Sequence, residues 1–106
     1  MIDANYAAQM AFNKTHILTV ARDWRENGKQ YWRLLHGNEI ESGFEVCDGF
    51  ATRAEALFFA LRIAKAAKRD SDGVALYPVV AYEHGFRKFR FVDCAHYDRT
   101  GEIRHK

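Results

Sequence analysis

The sequence predicts a single α+β domain, in which an antiparallel sheet (a three-stranded meander plus C-terminal strands) packs against one main helix, with a short N-terminal helix beside it. Three observations predict this. Residues 15–47 alternate apolar and polar side chains and are punctuated by the turn dipeptides Asn27-Gly28 and Gly37-Asn38. Residues 53–67 repeat their apolar positions at the helical period instead. The 106 residues, 48% apolar and 14% aromatic, are enough for one modest core and too few for two, so the domain is expected to span 1–106.

Asp3 caps a short helix expected to reach about Phe12, with Tyr6 and Met10 one turn apart and Asn13 as its stop. In residues 15–24, His16, Leu18, Val20 and Arg22 fall on one side, and Ile17, Thr19 and Ala21 on the other, which is the pattern of a strand. Asn27-Gly28 tolerates positive φ at both central turn positions, and residues 30–36 return as the second strand. A third strand is expected over 40–47, with Phe44 and Val46 on one face and Gly43, Glu45 and Cys47 on the other.

Thr52-Arg53-Ala54-Glu55 has the form of a capping box, so the main helix is expected to start near Arg53. At about 100° per residue, Ala56, Leu57, Phe59, Ala60, Leu61, Ile63, Ala64 and Ala67 form one broad apolar sector, which covers the sheet. Glu55, Arg62, Lys65 and Arg69 form a band on the opposite side, and Phe58 lies within it. Adjacent residues on a helix diverge too far for Phe58 and Phe59 to share one sheet. Phe58 is therefore covered by the N-terminal helix, by a partner, or by a second copy of the chain.

After the breaker Asp70-Ser71-Asp72-Gly73, residues 74–82 are expected to form a strand with Pro78 at an edge, the alternative being a short helix opened by Pro78 and ending at Gly85. Residues 86–93 alternate again, and Asp98-Arg99-Thr100-Gly101 suggests a last hairpin. In Phe86 to Phe91 the outward residues Phe86, Lys88 and Arg90 would suit a nucleic-acid surface. The competing structural role places Phe89 and Phe91 in the core, with Lys88 and Arg90 solvating an edge. Arg22, Arg25 and Arg33 form a second basic and aromatic group with Trp24, Tyr31 and Trp32, most of whose rings are expected to pack on strands.

The net charge of +2 conceals an asymmetry: residues 1–50 carry five bases and seven acids, residues 51–106 eleven bases and seven acids. This mild bias is not the footprint of a dedicated nucleic-acid binder. No secretory leader or membrane-spanning run is present, so a cytoplasmic protein with no membrane partner is expected. Cys47 and Cys94 are read as reduced thiols. His36, His84, His96 and His105 add no zinc-type spacing to them, and no phosphate loop, GxSxG elbow or HExxH motif occurs. No enzyme, metal or cofactor is expected.

The order of a meander followed by Gly49-Phe50-Ala51-Thr52-Arg53-Ala54-Glu55-Ala56 at the head of an alanine-rich helix resembles small uncharacterised bacterial β-β-β-α proteins, and is similar in size and layout to some phage-encoded anti-CRISPR proteins. The likeness covers residues 15–69. It implies a compact protein, monomer or homodimer, that occupies a surface of a host protein or nucleoprotein complex without chemistry of its own. The contact residues expected from the chain are Phe58, Arg62, Lys65 and Arg69 with Arg22, Arg25 and Arg33. The alternative is a nucleic-acid-binding module using Phe86, Lys88 and Arg90.

Overall fold

The computed structural model describes residues 17–36, 44–71 and 73–106. They form β1 (Ile17–Trp24), β2 (Gln30–His36), β3 (Phe44–Phe50), α1 (Arg53–Ala66), β4 (Arg69–Ser71), β5 (Val74–Leu76), β6 (Val79–Gly85), β7 (Lys88–Val92) and α2 (Cys94–Thr100). The helix expected over residues 3–12, and with it the cover it would give Phe58, lies outside the described residues, as does the Gly37-Asn38 turn.

The alternation of the first two strands gives the antiparallel β1–β2 pair, with Leu18 opposite His36 and Trp24 opposite Gln30. At its tip Gly28 takes φ +83°, and its amide donates to Arg25 O at 2.8 Å. Asn27 keeps negative φ and contributes through its side chain, whose Oδ1 accepts from Lys29 N at 3.0 Å. β3 completes the meander but runs on to Phe50, past the Asp48-Gly49 pair expected to end it. A shift of register between Trp32 and Leu34, with Gly49 at φ +82°, absorbs that irregularity.

The sheet is mixed, in the order β3-β2-β1-β6-β7, and this corrects the expectation of a purely antiparallel one. β6 pairs parallel to β1 in the register Ile17–Val79 to Val20–Tyr82. Parallel neighbours need a long crossover, and the segment holding α1 and the small β4–β5 ribbon supplies it. Pro78, which has no amide hydrogen for a ladder, divides the single strand expected over 74–82 into β5 and β6, which belong to different sheets.

The capping box forms by one of its two bonds: Thr52 Oγ1 accepts from Glu55 N at 3.2 Å. The seven residues of the apolar sector within α1 and Ala67, its C-cap, are all buried, and they pack with Leu18, Val20, Leu34, Val80, Tyr82 and Val92. Phe59 meets Phe50 with ring centres 5.8 Å apart. Burying a leucine such as Leu61 contributes about 1.5–3 kcal/mol. Thr19, Ala21, Leu35 and Ala81, on the face away from α1, are buried as well.

The last hairpin expected at residues 98–101 is instead the end of a helix. Asp93 caps α2 by accepting from His96 N at 3.1 Å, and Gly101 closes it in the left-handed conformation at φ +75°. The chain then turns back to β7, where Val92 and His105 form one antiparallel bridge. Among the described residues no helix is long and apolar enough to cross a membrane.

Candidate partner-binding surfaces

On α1, Phe58, Arg62 and Lys65 recur at helical spacing and lie together on the exposed side. Phe58 is 45% exposed, and the ring that meets it belongs to Tyr97 of α2, with centres 6.3 Å apart. The signal for this contact was the Asp93 cap and Gly101 stop, which make a helix of a segment that looks like a turn. Arg62 holds its guanidinium 6.0 Å from the centre of the Phe59 ring. Arg69 lies beyond the helix, which ends at Ala66, and opens β4.

Asp98 fastens α2 on two sides, to α1 and to the segment between β5 and β6. Lys65 Nζ stands 3.5 Å from Asp98 Oδ1, and the Tyr77 hydroxyl donates to Asp98 Oδ2. Burial and this bond to a carboxylate push the Tyr77 phenol up to about 12. The Tyr77 bond and, after it, the Lys65 charge hold the Asp98 carboxyl below its ordinary range. Nearby, Cys94 is a free thiol whose Sγ reaches Pro78 O at 3.6 Å, and burial pushes its pKa up to about 11. A thiol held protonated in this way is a poor nucleophile. Among the described residues no three histidine, cysteine or acidic side chains converge as metal ligands would.

The β1–β2 hairpin engages its three arginines internally, while Lys29 at its tip is exposed. The Arg25 guanidinium lies 4.2 Å from the Tyr31 ring centre, Arg22 lies 5.1 Å from that of Trp24, and Arg33 Nη1 pairs with Asp23 Oδ2 at 3.1 Å. Arg22 Nε is buried without a hydrogen-bond partner among the described residues. No protein-family model, curated protein or solved structure matches this chain. The surfaces are therefore read from their own chemistry.

The β6–β7 hairpin is arranged differently. Phe86, at its turn, is 66% exposed, and the Arg87 guanidinium lies 5.3 Å from its ring centre. Lys88 and Arg90 are exposed and have no ion pair among the described residues. The core placement expected for Phe89 and Phe91 does not hold. Val92 is the β7 residue that enters the core, while Phe91 is 48% exposed and Phe89 half-buried. Alternation shows which residues share a face, and here the covered face is the one that carries Val92.

One residue of this hairpin had no part in the sequence reading. Glu83 is 1% exposed, and its carboxylate accepts from two backbone amides: Arg22 N at 2.9 Å through Oε1 and Arg87 N at 2.7 Å through Oε2. It joins the end of β1 to the β6–β7 turn just beyond the last parallel pair, Val20–Tyr82. An acid directly after the apolar stretch Val79 to Tyr82 was its only signal.

Proposed function

We propose that this chain is a non-catalytic binding protein, of phage or mobile-element origin and anti-CRISPR-like in mode, that occupies and blocks a surface of a host protein or nucleoprotein complex. The observation that carries the reading is the α1 surface, where Phe58 stands half in water against Tyr97 with Arg62 and Lys65 on the following turns. A ring steadied by a second ring and flanked by cations is the kind of anchor that dominates protein interfaces. Arg22, Arg25 and Arg33 contribute at most a rim to this surface, since each is stacked or paired within its own hairpin.

The test is capture of a partner from a bacterial lysate by the tagged protein, with and without nuclease, beside the variant Phe58→Ala/Arg62→Ala. Both residues are exposed, so the variant is expected to lower Tm by no more than a few degrees. It is expected to lose an assembly that the parent retains after nuclease. A folded variant that still retrieves the same assembly contradicts the assignment.

A second reading, a small nucleic-acid-binding module, is favoured by the β6–β7 hairpin, with Phe86 projecting and Lys88 and Arg90 unneutralised. Salt separates the two readings, because phosphate-driven binding weakens steeply with ionic strength and a mixed polar and aromatic protein interface weakens less.

A further inference from the structure

We propose that the Phe86-Arg87 turn is a contact site for single-stranded nucleic acid, and that the buried Glu83 carboxylate holds it in its binding shape. The inference rests on the nucleic-acid reading and adds to it a ligand class, a further contact residue, Arg87, and a positioning residue, Glu83.

Arg87 adopts φ +57°, and among the described residues it is the one non-glycine residue at positive φ. This conformation is costly for a side chain with a Cβ and persists where the surroundings enforce it. Here Glu83 Oε2 accepts from the Arg87 amide at 2.7 Å while Oε1 is fixed on Arg22 N, beside the register shift between Glu83 and Gly85 at which the hairpin closes. The carboxyl is held by both oxygens, and it is almost fully shielded from water. The turn is thus tied to the central strand of the sheet. That order keeps an apolar ring, Phe86, 66% exposed at the tip of a hairpin with a guanidinium beside it.

The charge of the strip selects the ligand. Phe86 to Phe91 carries Arg87, Lys88 and Arg90 and no acid, while nearby Glu83 uses both oxygens on amides. Lys88 and Arg90 are two residues apart on one side of β7, which separates them by about 6.6 Å along the strand. A ring with an open face and a row of unneutralised cations matches a stacked base with its neighbouring phosphates. In a duplex the bases are already stacked on one another, so the ring would find no free base face. An unpaired strand is therefore the preferred ligand.

The experiment is fluorescence anisotropy of the full chain with a labelled oligodeoxythymidine of about 16 nucleotides and with a duplex of the same length, across about 50 to 200 mM salt. The parent protein is expected to bind the single strand more tightly than the duplex. Phe86→Ala should weaken the single-strand complex about 5- to 100-fold and leave its salt slope intact, because the cations remain. Arg87→Gly, whose residue is at ease at positive φ, should stay folded and bind more weakly with a shallower slope. Glu83→Gln should lower affinity per active molecule, counted by stoichiometric titration, with the slope unchanged; a variant that was merely unstable would lose active molecules at an unchanged Kd. Arg99→Ala, an exposed cation elsewhere, controls for total charge and should bind like the parent.

Equal affinity for duplex and single strand would overturn the proposal. So would parent-like binding by Phe86→Ala and Arg87→Gly, although the nucleic-acid reading itself would then survive. No binding to either oligomer at the lowest salt would overturn both.

Discussion

Two hairpins of one sheet are built from the same residue types and present opposite surfaces. In β1–β2, Arg22 and Arg25 stack on Trp24 and Tyr31, and the Asp23 carboxylate faces Arg33 and pairs with it. In β6–β7 the Glu83 carboxylate is turned inward onto backbone amides, and Lys88 and Arg90 remain unpaired among the described residues. Composition alone does not make a binding surface. What separates the hairpins is whether the acid beside the cations faces them or faces the backbone.

The two carboxylates give the sharpest way to break this comparison. Glu83→Ala removes the acceptor of two part-buried bonds, those from the amides of Arg22 and Arg87, and each such loss costs about 1 kcal/mol or more. Urea unfolding should therefore show a loss of about 2 kcal/mol or more at an unchanged m-value. A loss below about 0.5 kcal/mol would mean that water replaces the carboxylate and that the turn is not held as argued.

The α1–α2 side supplies an intermediate effect. Tyr77→Phe removes the bond to Asp98 and should cost about 1 kcal/mol at neutral pH. Tyr77 is raised on folding from 10.0 to about 12, so its contribution is full below pH 10 and fades as pH climbs through about 12. Asp98 is depressed on folding, so its contribution is present above its ordinary 3.8 and lost as pH falls through the lower folded value. The parent should thus exceed Tyr77→Phe in stability between about pH 4 and pH 10, and the gap should close outside that range. Urea midpoints measured across pH check this, and a gap that persists at pH 12 or above contradicts it.

Asp23→Ala should cost less than about 1 kcal/mol, because its pair with Arg33 is partly solvated and the carboxylate is 40% exposed. By the same comparison it should remove the acid that faces Arg33 and raise non-specific binding to an oligonucleotide at low salt, measurable by anisotropy. Arg87→Gly should have the smallest effect on stability, a gain of about 0.5 kcal/mol, as relief of the left-handed strain outweighs the greater freedom of glycine in the unfolded chain. A destabilised Arg87→Gly would show that the arginine stack on Phe86 contributes more than the strain costs.

Local signals account for what the sequence made legible. β2 was found end to end, the Asn27-Gly28 turn formed, and the eight apolar positions of α1 and its C-cap are the ones buried, because cap, turn and period act within a few residues. The parallel β1–β6 pairing was not legible, since nothing in residues 17–20 or 79–82 states which distant strand will lie alongside. The Asp98 to Gly101 segment misled because glycine closes both turns and helices, and the Asp93 cap five residues earlier decides between them. Phe58 was placed on the outer side of α1, but its neighbour Tyr97 came from a helix the pattern did not reveal. Glu83 was missed because its role is to accept from backbone amides, a task with no side-chain motif.

The contrast between the hairpins is tested most directly by a nitrogen-15 NMR titration of the parent protein with unlabelled single-stranded oligodeoxythymidine. The account predicts amide shifts concentrated at Phe86, Arg87, Lys88 and Arg90, with Arg22 N following through Glu83 and with Arg25 to Tyr31 unmoved. Shifts centred on Arg25 to Tyr31, or spread equally over both hairpins, would contradict it.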